Sequence, residues 1–399
     1  MNHFKQHLTH LLTAGLVLAG VSQATPQPVQ KTEAMPIYVH FMPWFESKDF
    51  SGYWGAHWTM GTRYPDTQDE TGHRQIATHY YPLTGPYASA DPDIIEYQLL
   101  LMKLSGIDGV MIDWPGTTDL YDYPRNKSNA EALIGQLGRF GLKYAMVYED
   151  HNINIAFEKG VVTDRMAQAR QDVQDLVQNH FSSSNYIQME GHPFLTVFGP
   201  QTFENPEEWK TLFADLPEQP CLLAIWREGS QVASACKGEF SWVLQNEQSH
   251  LDLLSAFYRS PALGRVKVGS AYPGFHDFYK EGGWGAGYFN IPVGLDTFKT
   301  TLDLALQSDL KAVQLVTWND YGEGTMIEPT EQFGFDFLTY LQQKLGVKNL
   351  NKADLELVLE LYKQRKQHAG NTEEQGRLDQ VSDLLAELKV SEARALLIR

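Results

Sequence analysis

Short apolar runs alternate with longer amphipathic stretches along most of the chain. The runs are PIYVHFMPWF at 36–45, GVMIDWPG at 109–116, LKYAMVYED at 142–150, FLTVFGP at 194–200, PCLLAIW at 220–226, FSWVLQNE at 240–247, KVGSAYPGF at 267–275 and VQLVTWNDYGEG at 313–324. Unbroken apolarity of this kind belongs to strands covered on both faces, as in a parallel sheet. Between the runs lie helical patterns such as DPDIIEYQLLLMKLSG at 91–106, which opens on an acidic cap and closes at glycine, and DTFKTTLDLALQS at 296–308. Eight strands alternating with helices predict an α/β fold, a (β/α)8 TIM barrel. A doubly wound open sheet is the main rival, but no Gly-rich phosphate loop follows any run.

The rest of the pattern sets the domain boundaries. Residues 1–24 carry Lys5, an apolar stretch from Leu11 to Val21 and then Ser22-Gln23-Ala24. This suits a signal peptide cleaved after Ala24, since the stretch is too short to span a bilayer. A linker follows at 25–35, then the barrel at 36–345 and a C-terminal helical extension at 346–399. Within the last, 351–398 reads as two or three charged amphipathic helices broken near Gly370-Asn371 and Val390-Ser391. Two long insertions interrupt the barrel, 46–90 after the first run and the Gly-rich 272–290 after the seventh. Loops on that face build the active sites of barrels.

Composition narrows the function. The formal charge of −17 repels phosphate backbones, and no Lys/Arg run is present, so nucleic acid is excluded as a partner. With 43% hydrophobic and 20% charged residues the chain can bury a large core. No later segment reads as transmembrane, and no stable membrane insertion is expected. Cys221 and Cys236 can close one disulfide, contributing about 3 kcal/mol in the chain-entropy model, or stay as two buried thiols. Neither His-Glu-x-x-His nor zinc cysteine spacing occurs, so no metal and no cofactor is implied.

Polar groups interrupt the apolar runs where strands end, which is where barrel enzymes place their chemistry. The second run ends Asp113-Trp114, the third Glu149-Asp150-His151-Asn152, the sixth Gln245-Asn246-Glu247 and the eighth Trp318-Asn319-Asp320-Tyr321-Gly322-Glu323-Gly324. A lone Asp113 or Gln245 reads equally well as a helix cap or a hydrogen-bonded buried group. The eighth differs, because Asp320 and Glu323 bracket a turn whose Gly322 and Gly324 let the backbone bend sharply beside one cavity. Paired carboxylates with aromatic rings suit glycoside chemistry, in which one acid protonates the leaving oxygen and the other helps form the new bond. Nine Trp and nineteen Tyr supply candidate platforms. Trp44, Trp54, Trp114, Trp226 and Tyr272 are the first choices, each reading equally well as core. Tyr38, His40, Trp58, His151, His276, Asn319 and Tyr321 complete the set of candidate sugar contacts.

At WNDYGEGTMIEPT, residues 318–330, the chain resembles glycoside hydrolase families 99 and 71, which share a (β/α)8 fold. Gly324-Thr325 and Ile327-Glu328-Pro329 are similar to family 99, the endo-α-mannosidases and endo-α-mannanases. Asn319-Asp320-Tyr321-Gly322-Glu323 is similar to family 71, the α-1,3-glucanases. Tyr53-Trp54, His57-Trp58, Pro82-Leu83, Gly85-Pro86-Tyr87, Asp91-Pro92-Asp93 and Gly106-Ile107-Asp108-Gly109 also look like family 99, so the resemblance spans roughly 36–345. It implies that Asp320 and Glu323 are the catalytic pair, that Glu149 contacts sugar, and that the substrate is an α-linked polysaccharide cut internally. The Pro-Tyr that follows this Glu in family 99 is Asp150-His151 here. Where family 99 has a longer Glu reaching the sugar 2-hydroxyl with net retention, Asp320 is similar to the family 71 residue implied to activate water for inversion. A non-catalytic carbohydrate-binding barrel and an exported lyase are the alternatives. The first keeps few catalytic acids and the second needs cations for a uronate.

Overall fold

The computed structural model describes residues 25–261 and 266–398. The expected signal peptide lies outside the described residues. Eight parallel strands form the sheet, seven of them on the apolar runs: β1 Ile37–Phe41, β2 Gly109–Trp114, β3 Lys143–Tyr148, β4 His192–Val197, β5 Cys221–Ile225, β6 Cys236–Phe240, β7 Val266–Ala271 and β8 Ala312–Leu315. Each pairs with its neighbours in sequence, and β8 pairs with β1 through Ile37↔Val313 and Val39↔Leu315, so the sheet closes into a (β/α)8 barrel. Closure leaves no open edge among these strands.

Most strand residues are buried because helices cover the outside while side chains fill the inside. Around the barrel run α1 Pro92–Leu104, α2 Tyr123–Phe140, α3 Arg165–Leu176, α4 Pro206–Phe213, α5 His250–Arg259, α6 Leu295–Leu306 and α7 Asp336–Leu345. The Asp91 side chain caps α1 by accepting from Asp93 N at 3.0 Å.

Two strands differ from the reading of the sequence. The sixth lies at Cys236–Phe240 rather than 240–247. Its sequence, CKGEF, was hidden because Lys237 and Glu239 break the apolar pattern, and Glu239 serves locally by accepting from Arg227 N and Gly229 N at 3.1 and 3.0 Å. A side chain at Gly238 would meet Val266 O, so only glycine lets β6 and β7 pair this closely. The eighth strand stops at Leu315, and the buried WNDYGEG segment beyond it is a loop. Cys221 and Cys236 are free thiols, with burial pushing the Cys221 thiol up to about 12. No helix among the described residues is long and apolar enough to cross a membrane.

Three helices follow the barrel: α8 Lys352–Gln367, α9 Thr372–Ala386 and α10 Val390–Leu397. Asn351 and Asp354 form a capping box at the start of α8. On α8, Arg365 reaches the α1 residue Glu96 with two parallel bonds, Nε to Oε2 at 2.9 Å and Nη2 to Oε1 at 2.8 Å, and both side chains are buried. The exposed side of the same contact adds Lys366 to Asp91 at 2.6 Å and to Asp93 at 2.8 Å. Removing Arg365 leaves the Glu96 carboxylate buried with, among the described residues, only a long contact from Arg139 at 3.4 Å. Arg365→Ala is therefore expected to lower unfolding free energy by about 3 to 5 kcal/mol in a urea titration. A loss below about 1 kcal/mol, the level of an exposed ion pair, would show that this pair does not hold the helices to the barrel.

Candidate active site

The loop after β8 is built before it is armed. Asn319 is buried and locks the loop to the end of β1, with Oδ1 accepting from Met42 N at 2.9 Å and Nδ2 donating to Met42 O at 3.0 Å. Glu328 is likewise buried and gathers four donors: Gln98 Nε2 at 2.7 Å, the Tyr87 and Tyr321 hydroxyls at 2.8 Å each, and Trp318 Nε1 at 3.3 Å. Beneath them a second apolar cluster of Phe45, Trp58, Ile76, Tyr87, Ile94, Tyr321 and Met326 joins the insertion after β1 to this loop. Gly324 adopts φ +68°, and a side chain there would strike His276 O, so the turn admits only glycine. The insertion after β7 is tied on by His276 N to Glu323 O and Phe278 N to Gly322 O, both at 2.8 Å.

These supports fix two carboxyl groups in different surroundings. Asp320 is buried, yet Oδ1 accepts from Glu323 N at 2.9 Å, and the Gly322 backbone and His57 also favour its anion. Burial still pushes it up to about 6. Glu323, half-buried, sits well above the usual carboxylate range, first because it is largely removed from water and then because the Asp320 charge is beside it. The Tyr279 hydroxyl, donating to Oε1 at 3.1 Å, only partly offsets this. The pair therefore separates into a carboxylate, Asp320, and an acid that keeps its proton, Glu323.

A second acidic pair faces the first. Asp113, at the end of β2, is held well above its ordinary value by burial and by Glu149, with Asp320 adding to it. Its Oδ1 is buried and has no hydrogen-bond partner among the described residues. His151 Nδ1 lies 2.7 Å from Glu149 Oε2. The ring is not aligned for a linear hydrogen bond, so the contact is a close ion pair when His151 is protonated. Glu149 and Asp150 raise the His151 pKa against its burial.

The open face is aromatic. A cavity of about 460 Å³ is lined by Tyr279, Trp284, Gly285, Ala286, Gly287, Tyr288 and Glu323. Trp284 and Tyr288 are 46% and 75% exposed, so their rings are open to a ligand. On the other side Trp44 stacks on His57 at 4.1 Å, and the edge of His57 meets Trp284 at 5.3 Å. His57 also approaches Asp122 at 3.5 Å.

The sequence candidates divide accordingly. Asp320, Glu323, Asp113, Glu149 and His151 come together, with Trp44 at the rim and His276 and Asn319 holding the loop. Trp58, Trp114, Tyr272 and Tyr321 are fully buried, and Trp226 and Tyr38 nearly so, which leaves no ring face for a sugar. Trp58 donates to Tyr87 O, Tyr321 to Glu328, Tyr272 meets His250, Trp226 packs edge-on against Phe257, and Tyr38 lies towards Asp108 at the opposite end of the barrel. His40 is inside the barrel against Trp242, and burial lowers its pKa to about 3. Trp54 binds Asp66 in the outer part of the first insertion, and Gln245 meets the Asn290 carbonyl at 3.5 Å. Reading by strand ends missed Tyr279, Trp284 and Tyr288, because nothing in their spacing singles them out within the Gly-rich insertion. It also missed the anchoring carboxyl of Glu328.

With this geometry in place, the fold can be set beside known structures. No family model matches the chain. A GH99 endo-α-mannosidase from Bacteroides thetaiotaomicron, in complex with bis-tris-propane, matches with TM-score 0.57 and 15% identity over 84% of this chain and 98% of that one. A second structure of the GH99 endo-α-mannosidase from that organism matches with TM-score 0.58 and 14% identity over 83% and 98%. A glycoside hydrolase-like protein gives TM-score 0.58 and 14% identity over 81% and 97%. At this identity the likeness establishes the shared barrel fold.

Burial raises Glu328 from 4.5 to about 7 despite its four donors. Between those values the folded state holds more of this proton than the unfolded chain, so this group's contribution to stability falls as pH rises from about 4.5 to 7. Glu328→Gln should flatten the pH dependence of the urea midpoint across that window. An unchanged slope would show that Glu328 does not titrate there.

Proposed function

We propose that the chain is an exported glycoside hydrolase that cuts an α-linked polysaccharide internally, with Glu323 as general acid and Asp320 as its partner carboxylate. The observation that carries this reading is one adjacent acid pair, with Asp320 accepting from Glu323 N and Glu323 from the Tyr279 hydroxyl, beside an aromatic cavity at the C-terminal mouth of the barrel. The GH99 neighbours, which are glycoside hydrolases, and the motif at 318–330 support the same reaction class, and the N-terminal segment supports export.

In this mechanism a sugar ring stacks on the open aromatic rings, and the Glu323 proton moves to the glycosidic oxygen as its bond to the anomeric carbon breaks. Asp320 takes a proton from water, whose oxygen forms the new bond on the opposite face, giving inversion. Aspartate leaves room for that water, as inverting pairs require, with typical separations of about 6.5 to 9.5 Å. Asp113, whose buried carboxyl favours its protonated form, stands near the Glu149 carboxyl, and the two suit the hydroxyls of the bound ring.

Screening α-mannan and α-1,3-glucan for released oligosaccharides gives the polymer. On the polymer that is cut, Asp320→Asn and Glu323→Gln should each lower turnover by about 10² to 10⁴-fold with folding intact, the usual worth of a positioned proton-transfer group. Near wild-type turnover in either variant would remove the assignment. Proton NMR of the first product, taken before mutarotation, should show the β-anomer from the α-linked polymer. An initial α-anomer would refute inversion.

A further inference from the structure

A second cavity, of about 520 Å³, lies in the insertion after β1 and touches neither catalytic carboxylate. Its polar lining includes Arg63, Arg74, His73, His79, Gln75 and Gln332, with one acid, Asp69. A chain carrying 49 acidic and 32 basic side chains has few basic concavities to spare, so two guanidinium groups on one cavity wall call for a reason. Arg63 donates only weakly, to Thr62 O at 3.3 Å and Thr62 Oγ1 at 3.4 Å, and its guanidinium lies 4.7 Å over the Phe278 ring. Arg74 donates to Pro65 O at 3.0 Å and lies over Trp54 at 5.3 Å. Neither forms a salt bridge among the described residues, and each guanidinium has five N–H donors, so most of them are uncommitted.

The acid on the wall, Asp69, and the two nearby, Asp66 and Glu331, are already engaged. Asp69 Oδ1 accepts from Thr71 N, Thr71 Oγ1 and His73 N at 2.8, 2.6 and 3.0 Å, closing its own turn. Asp66 takes Lys48 at 2.6 Å and Trp54 at 3.0 Å. Glu331 takes His73 Nε2 at 2.9 Å. What remains is a donor-rich cavity with aromatic walls at Tyr80 and Tyr81. It is coupled to the reacting loop: His79 stacks on His276 at 3.8 Å and meets Phe278, and the next residue, Tyr279, holds Glu323.

We propose that this cavity binds an anionic substituent of the polysaccharide, a sulfate ester or a uronate carboxylate, through Arg63 and Arg74. Guanidinium forks take such oxyanions with paired hydrogen bonds, while an adjacent ring covers the sugar face. The inference rests on the reading of the chain as a polysaccharide hydrolase, and it makes the natural substrate an acidic glycan.

Native affinity electrophoresis tests it in gels containing a sulfated polysaccharide, its chemically desulfated form, alginate as a polyuronate, or no polymer. The chain's own charge of −17 opposes non-specific binding to either polyanion, so retardation requires a site. The wild type should be retarded by the sulfated gel, the alginate gel or both, and not by the desulfated gel. Which anionic gel acts identifies the substituent. Arg63→Met/Arg74→Met should weaken binding about tenfold or more, the worth of a lost charge-assisted hydrogen bond. Gln75→Glu, which adds a negative charge to an exposed wall without touching the core, should do the same and decides the matter if the double variant fails to fold. Asp320→Asn should be retarded like the wild type, so binding is read apart from hydrolysis. Retardation by no anionic gel, equal retardation by the desulfated gel, or unchanged retardation in Gln75→Glu would overturn the proposal. Retardation as expected with no polymer cut would count against the hydrolase reading instead.

Discussion

The site depends on a buried carboxyl group that does no chemistry. Glu328 sits under the loop after β8 and accepts from Gln98 on α1, Tyr87 at the end of the first insertion, and Tyr321 and Trp318 on the loop itself. A buried acid with these donors costs little only if all of them stay in place, because any donor left unpaired carries the full penalty of desolvation. The loop is therefore fixed to the helix layer and to the insertion at once. Asn319 adds the tie to β1. A rigid frame of this kind is what a pair of acids three residues apart requires if one is to stay charged and the other protonated.

On that frame, small differences in hydrogen bonding decide the roles. Asp320 is buried and Glu323 half-buried, and the loss of water raises both. Backbone amides at Gly322 and Glu323 turn towards Asp320, so the charge settles there, and the settled charge then raises Glu323 further. The tight turn thus creates the asymmetry that its neighbour needs. Tyr279 brings the insertion after β7 into the same system, since it holds Glu323 while forming part of the aromatic cavity.

How much of this was legible follows from what each element must satisfy. Strands buried on both faces announce themselves as apolar runs, so seven of the eight were visible where they lie or begin. The eighth strand ran on in the reading because WNDYGEG, Glu323 apart, is as buried as the strand it follows. Strand β6 escaped because Lys237 and Glu239 serve its surroundings rather than the core. Asp320 and Glu323 stood out through their glycines. The aromatic residues were harder, because a loop that folds over a barrel makes a core of its own. Trp58 and Tyr321 went into that core, whereas Trp284 and Tyr288, in a stretch without periodicity, stayed in the open. Composition cannot separate the two outcomes, because each ring is equally able to pack or to stack.

The central claim is that Glu323 supplies the proton and Asp320 does not. It is tested most directly by an aryl glycoside of the sugar that is cut, chosen with a phenol acidic enough to leave unprotonated. The account predicts that Glu323→Gln, slow on the polymer, recovers most of the wild-type rate on this substrate, because the step it lost is no longer needed. Asp320→Asn should stay slow on both. Equal impairment of Glu323→Gln on the two substrates, or recovery by Asp320→Asn, would contradict the assignment.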